Sequence, residues 1–305
     1  MSLSQSFKDV LAKENIEALY DEPMRKHTAY QIGGNADCAV FPRDAAQIKV
    51  ILEACAAEKV PCFVMGSGTN LLVSDDGFRG VVIICGKNMR KLEVDGCCIR
   101  AGAGVLLSRV ARVAAEQGLT GMEAISGIFG AVGGSVAMNA GAYGGEISQV
   151  LESVTCYCPA EDSVKTLLPQ ECQFGYRNSI FLRQGYIVLE VVFKLQPGDK
   201  TEIENAMADF AKRRSDKQPL EYPSCGSVFK RPEGHFAGAL IEQAGLKGYK
   251  IGGAAVSEKH AGFIVNMGGA TAADVCAVIR HIQKTIKEKN GILLECEVKT
   301  LGFEI

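Results

Sequence analysis

From Ser126 to Gly145 the chain reads SGIFGAVGGSVAMNAGAYGG, which carries seven of its 34 glycines and no charged residue. Backbone without Cβ atoms can adopt positive φ and turn successive N–H groups toward phosphate or ring oxygens, so a ligand can approach it closely. A shorter segment of the same kind, Gly66-Ser67-Gly68-Thr69-Asn70, follows directly on the apolar run Cys62 to Met65. Two such loops in one chain point to one large ligand of cofactor size. Two other readings exist. The stretch 124–145 is uncharged and contains a GxxxG spacing at Gly130 and Gly134, as membrane helices do. Against a span, each glycine costs roughly 1 kcal/mol relative to alanine in a helix, and Asn139 lies inside. The second reading is a glycine-rich helix end that packs and binds nothing.

At 305 residues the chain is long enough for more than one core. Its 33 basic and 35 acidic residues give a net charge of −2, and no basic run exceeds Lys212 to Arg214, so charge argues against nucleic acid as a partner. The N-terminal stretch MSLSQSFKDVLAKENIEAL reads as a short amphipathic helix and not as a signal peptide. Twelve cysteines are spread along the chain with no CxxC pair and no zinc-type histidine spacing, which predicts a reducing, cytoplasmic setting and no metal. Cys38, Cys62, Cys85 and Cys276 lie in apolar runs, where a free thiol behaves as a small hydrophobe. The vicinal Cys97 and Cys98 are expected to point to opposite faces of one strand.

Between Cys38 and Gly86 the pattern alternates strand, helix, strand, glycine loop, strand, strand. A hairpin is predicted around Asp95 and Gly96, and a helix over Val105 to Gln117 with Gly118 as its stop. Beyond the glycine segment, LESVTCYCP and SVKTLLP read as a second hairpin and Tyr186 to Leu195 as a long strand. A helix over Glu202 to Arg214 leads into KQPLEYPSCGS, whose two prolines and glycine mark a boundary. A smaller unit follows, with helices over AGALIEQAG and Ala272 to Lys289 and a final strand, LLECEVKTLG. GSGTN lacks the ending of a Walker loop and does not open a helix, so any phosphate it holds would sit in a backbone nest between strands.

Three polar residues stand in unusual company: Arg177 in FGYRNS, Ser227 in PSCGSVFK and Glu297 in LLECEVKTLG. Singly, each has an ordinary reading as a surface ion pair, a turn residue or a solvent-facing strand position. Together with HTAYQIGG, MGSGTNLLVSDDGFRG, the glycine segment, KQPLEYPSCGSVFKRP and KHAGFIVN, they make a sequence that resembles the UDP-N-acetylenolpyruvoylglucosamine reductase family. The likeness runs in order over nearly the whole chain and is to the shorter of that family's two subtypes. It departs from the common family pattern at Phe129, where proline is usual, at Arg231, where asparagine is usual, and at Cys296, where proline is usual.

The resemblance implies an α+β chain with the FAD-binding fold of the vanillyl-alcohol-oxidase type and a smaller C-terminal α+β domain for substrate. It divides the chain into residues 1–200, with subdomains of about 1–75 and 76–200, and residues 201–305, whose last strand returns to the active site. The implied activity is NADPH-dependent, FAD-mediated reduction of UDP-N-acetylglucosamine enolpyruvate to UDP-N-acetylmuramate, in the cytoplasm, for peptidoglycan precursor synthesis. Non-covalent FAD would rest on Gly66, Ser67, Gly68, Thr69, Asn70, Ser126, Gly127, Gly133, Gly134, Asn139, Gly141 and Ala142. Arg177, Ser227 and Glu297 would be the catalytic set, and Lys217 would contact the substrate diphosphate. The chemistry suits the trio: a fixed cation steadies the developing enolate, a neutral Glu297 could donate to it, and Ser227 would protonate the α-carbon. No separate dinucleotide fingerprint is present, which suits NADPH and the nucleotide sugar taking turns in one cleft. Two other functions compete with this one. One is another flavoprotein of the same fold, an oxidase or dehydrogenase acting on an alcohol or sugar, with His27 the nearest candidate for a covalent flavin tether, and the other is a non-catalytic nucleotide-sugar or flavin binder. The binder would not need all three of Arg177, Ser227 and Glu297.

Overall fold

The computed structural model describes residues 3–305. Contacts gather the chain into two compact units. The first holds residues up to Tyr20 together with Cys38–Ser67 and Gly80–Arg214, and the second holds Asp21–Asp37, Gly68–Arg79 and Ser215–Ile305. Two short segments that the sequence reading assigns to residues 1–200 thus gather with the C-terminal part. The cause is backbone pairing, most of all with the end of the chain. Leu71–Val73 runs parallel to Lys299–Leu301, with Leu72 opposite Thr300, and Gly34 N–H donates to the Ser74 carbonyl at 2.8 Å.

In the first unit the chain begins with the helix Gln5–Lys13, capped by the Ser4 hydroxyl on Phe7 N–H, with Phe7 and Leu11 buried four residues apart on one face. The helix expected through Leu19 ends sooner: Asn15 takes a left-handed φ of 51°, and Glu17–Pro23 is a strand. The helix Ala45–Ala57 starts at Asp44, whose carboxylate accepts from Gln47 N–H, and buries Ile48, Ile51 and Cys55. After it, Cys62–Met65 pairs in parallel with Phe78–Ile84, Cys62 lying opposite Val81. A five-stranded antiparallel sheet follows in the order Ser163–Leu167, Leu151–Cys158, Ile187–Lys194, Cys98–Gly102, Leu92–Asp95. Both predicted hairpins are present in it. The helix Leu107–Glu116 and the six-residue helix Val132–Ala137 pack on this sheet, over a core that includes the fully buried Ile99, Val154, Val191 and Phe193. Gly118, at φ 66°, stops the first of these helices.

The second unit is built on the helix Ala272–Asn290. Val275, Ile279, Ile282 and Ile286 are spaced by three or four residues and form its fully buried stripe. That stripe belongs to the unit's core, and the helix also contacts the antiparallel strands Lys250–Ile251 and Ala254–Val256, the second of which pairs with Ile264–Asn266. Thr271 and Asp274 close a reciprocal capping box at the helix start, and the Asp75 carboxylate accepts from Ala272 N–H at 2.8 Å and Ala273 N–H at 3.0 Å. The helix predicted over 202–214 extends over Lys200–Lys217. The long final strand does not form as a regular strand. Only Lys299–Leu301 has strand geometry, and Cys296 makes an isolated bridge to Phe229. Burial still alternates along the segment, with Leu294 and Val298 buried and Leu293, Glu295 and Lys299 exposed. No helix among the described residues is long and apolar enough to cross a membrane.

Candidate active site

The glycines expected to hold a cofactor divide into two physical classes. A side chain on Gly133 would place its Cβ 2.9 Å from the Ala103 Cβ, one on Gly127 would meet the Arg214 Nε at 2.6 Å, and one on Gly141 would meet the Gly145 carbonyl oxygen at 2.8 Å. Gly133 and Gly141 are required by packing within the first unit, whereas the neighbour of Gly127 is a long side chain. Gly134 differs: a Cβ there meets nothing within 4 Å, and the residue is exposed. It is a bare patch of helical backbone facing open space, as a backbone cradle for FAD would need. Gly66 and Ser67 border it, since Ala131 N–H donates to Ser67 Oγ at 3.0 Å and a Cβ on Gly66 would touch the Ala131 Cβ. Gly68 needs its glycine for another reason, its φ of 62°.

Other residues of that group are held by the protein itself. The Ser126 hydroxyl donates to the Glu123 carbonyl at 2.7 Å. Asn139, only 2% exposed, accepts from Ser148 N–H at 3.1 Å and donates to the Gly175 carbonyl at 3.4 Å. Its side chain therefore fixes the loop. Gly141 and Ala142 pair with Glu146 and Gly145 in a two-residue hairpin. Arg177 is attached to the same loop: its Nη2 donates to the Gly141 carbonyl at 3.1 Å, and its guanidinium carbon sits 5.0 Å from the Tyr176 ring centroid. Its own φ is 53°, a conformation L-residues adopt at a cost.

The remaining predicted residues belong to the second unit. Ser227 follows Gly226, which has φ 75°, and forms an isolated bridge to Phe263. Next to it, Val228 N–H donates to the Gly262 carbonyl at 2.9 Å while the Val228 carbonyl accepts from Glu297 N–H at 2.7 Å. Backbone pairing thus holds Ser227 and Glu297 in adjoining segments. Asn70 joins them by donating from Nδ2 to the Glu297 carbonyl at 3.0 Å. Thr69 lies between Gly68 and Asn70 in the same unit. Lys217 ends the helix Lys200–Lys217 and is exposed.

One residue escaped the sequence reading although its segment, KHAGFIVN, was singled out. A Cβ on Gly262 would lie 3.0 Å from His260 Cε1 and 3.3 Å from Ser227 Oγ, so the imidazole and the hydroxyl flank the same glycine. His260 Nδ1 accepts from Gly262 N–H at 3.1 Å, which assigns the ring proton to Nε2 in the neutral form. Burial pushes the imidazole pKa down, and the positive charges of Lys247 and Lys217 add to this. Gly238 is a second glycine against the ring, its Cβ position 3.1 Å from His260 Cε1, and no signal in the sequence marks the histidine.

The three family departures have local consequences. Phe129 is 68% exposed. Arg231 lies over the Phe236 ring at 4.5 Å. Cys296 lies 3.7 Å from Gln283 Nε2 and carries the bridge to Phe229. His27, the position weighed for a covalent tether, has its Nε2 3.0 Å from the Glu22 carboxylate.

Residues 36–166 match a family model described as an FAD binding domain, and residues 218–301 match one described as UDP-N-acetylenolpyruvoylglucosamine reductase, C-terminal domain. Among curated relatives, a UDP-N-acetylenolpyruvoylglucosamine reductase of Agathobacter rectalis is 50% identical over 93% of this chain and 94% of its own length. The reductase of the same name from Clostridium botulinum is 46% identical over 98% and 96%. Among solved structures, UDP-N-acetylenolpyruvylglucosamine reductase from Thermus caldophilus superposes with a TM-score of 0.79 at 34% identity, covering 94% of this chain and 98% of that one.

Proposed function

This chain belongs to the UDP-N-acetylenolpyruvoylglucosamine reductase family, and from that membership we infer a complete catalytic scheme for its residues. It is an FAD-dependent oxidoreductase that reduces UDP-N-acetylglucosamine enolpyruvate to UDP-N-acetylmuramate in peptidoglycan synthesis. NADPH is the reductant, and the cytoplasm is the site of action. Residues 1–200 chiefly serve the flavin and 201–305 the nucleotide sugar. Held on the backbone at Gly134 and the loop Gly66 to Asn70, FAD would supply hydride transfer from NADPH to the β-carbon of the enolpyruvyl ether.

Arg177 stabilises the negative charge that develops on the substrate's carboxylate-bearing fragment. Its hydrogen bond to Gly141 and its stacking on Tyr176 support this role, because a guanidinium already held in place needs no reorganisation as charge appears. Loss of such a preorganised donor costs roughly 3 to 4 kcal/mol in comparable sites. Ser227 delivers the proton to the α-carbon. A serine hydroxyl is a weak acid, and neighbours must assist it. His260, kept neutral, and Glu297, paired through Val228, are the groups available within its unit. Glu297 contributes a hydrogen-bond donor to the substrate, and Lys217 meets its diphosphate as a point charge.

The observation that carries this assignment is the 2.7 Å bond from Glu297 N–H to the Val228 carbonyl, which joins the two proton-handling segments by backbone and not by a mobile side chain. Stopped-flow spectroscopy separates the roles. Ser227→Ala should be reduced by NADPH at nearly the parent rate and reoxidised by the enolpyruvyl substrate far more slowly. Glu297→Gln, which keeps a donor, should retain more activity than Glu297→Ala. Equal slowing of both half-reactions in Ser227→Ala would make the serine structural and overturn the assignment.

A further inference from the structure

The first unit carries a cavity of about 510 Å³ formed by the edge strand Leu92–Asp95 and the start of the helix Leu107–Glu116. Leu92 and Val94 occupy alternate positions of the strand, and so form one wall. Arg90, Arg109 and Arg112 are among its lining residues and all three are exposed, and the lining includes no carboxylate. Glu93 belongs to the opposite face of the strand and is engaged by Lys91 at 2.8 Å. Among the described residues neither Arg109 nor Arg112 enters an ion pair. Arg90 is tied through its Nε to the Gly104 carbonyl at 3.3 Å. The helix that contributes Ser108, Arg109 and Arg112 starts at Leu106 with no side-chain cap.

None of the residues assigned to flavin or substrate lines this cavity. Three like charges gathered along an open groove without a countercharge create a positive potential that favours an anion. Guanidinium forks match phosphate oxygens bidentately, and three of them offer enough donors to serve more than one phosphate. The apolar wall adds a surface for a flat, weakly polar group. We propose that this cavity is a second binding site, for a nucleoside polyphosphate, with the phosphates on Arg90, Arg109 and Arg112 and the base against Leu92 and Val94.

The test uses the flavin-loaded protein, titrated calorimetrically with ADP and separately with inorganic pyrophosphate at low and at physiological salt. ADP should bind more tightly than pyrophosphate, and both should weaken with salt. The double variant Arg109→Gln/Arg112→Gln should lose about tenfold or more in ADP affinity, as expected for losing charge-assisted pairs. It should keep its flavin absorbance and its rate of reduction by NADPH. Val94→Asp, which places a carboxylate on the apolar wall, should weaken ADP binding in the same way and serves if the double variant misfolds. Parent-like ADP affinity in both variants would overturn the site. Equal affinity for ADP and pyrophosphate would overturn the nucleoside assignment, and release of flavin by ADP would show that the ligand competes for the cofactor site instead.

Discussion

At the scale of single residues, identity in the sequence and role in the structure part company most clearly at cysteines and glycines. Cys62 sits in an apolar run, yet it is exposed, because it opens its strand. A hydrogen bond with the Cys55 thiol pulls the Cys62 pKa down to about 7, while Cys55 itself is pushed up. The thiolate is the reactive form, so Cys62 should be alkylated by iodoacetamide ahead of the buried cysteines, with a rate that rises as pH passes through about 7. In Cys55→Ala that midpoint should move up toward the ordinary thiol value of about 8.5. A parent-like midpoint in that variant would rule out Cys55 as the cause. Gly133 and Gly134 pose the same lesson. They are adjacent and equally plausible as cofactor contacts in the sequence, and only the neighbouring Ala103 Cβ, 2.9 Å from one and absent from the other, tells packing from openness.

At the scale of elements, what the sequence showed best was what local physics decides. The helix Ala272–Asn290 announces itself by apolar residues at helical spacing and by Thr271 and Asp274 as a capping box. The hairpin at Asp95 and Gly96 does so by its turn residues. Elements fixed by distant partners depart from their local pattern. The segment 293–298 has strand-like alternation but finds only the short partner stretch at Val228 to Lys230, and the N-terminal helix yields to the strand Glu17–Pro23. The link from Asp75 to the start of the long helix is of this distant kind, invisible in sequence because 197 residues separate Asp75 from Ala272. Asp75→Ala removes the acceptor for two N–H groups at once. It should lower stability by about 1 kcal/mol, the cost of losing a helix N-cap, as read by urea unfolding. An unchanged unfolding midpoint would mean that water replaces the carboxylate fully.

At the scale of the whole molecule, the family and the FAD-binding fold were legible from motifs spread along the chain, but the grouping of segments 21–37 and 68–79 with 215–305 was not. A boundary read from composition follows the chain, whereas compact units follow contacts, and the parallel pairing of Leu71–Val73 with Lys299–Leu301 joins residues far apart in sequence. The division predicts separable losses. Gly134 belongs to the first unit and stands clear of every neighbour. Gly134→Val should therefore purify with little or no flavin while its fold survives, because the new side chain fills the space a cofactor would use and strains no packing. The second unit, which carries Ser227, Glu297 and Lys217, should still bind the UDP moiety when titrated calorimetrically with UDP. Gly133→Val provides the contrast: its side chain collides with Ala103, and overpacking of this kind typically costs 1 to 3 kcal/mol, so it should lower the melting temperature whether or not flavin is supplied. If Gly134→Val retains a full complement of flavin, the open backbone at this position is not part of the cradle, and the flavin must be held by the loop at Gly66 to Asn70 without it.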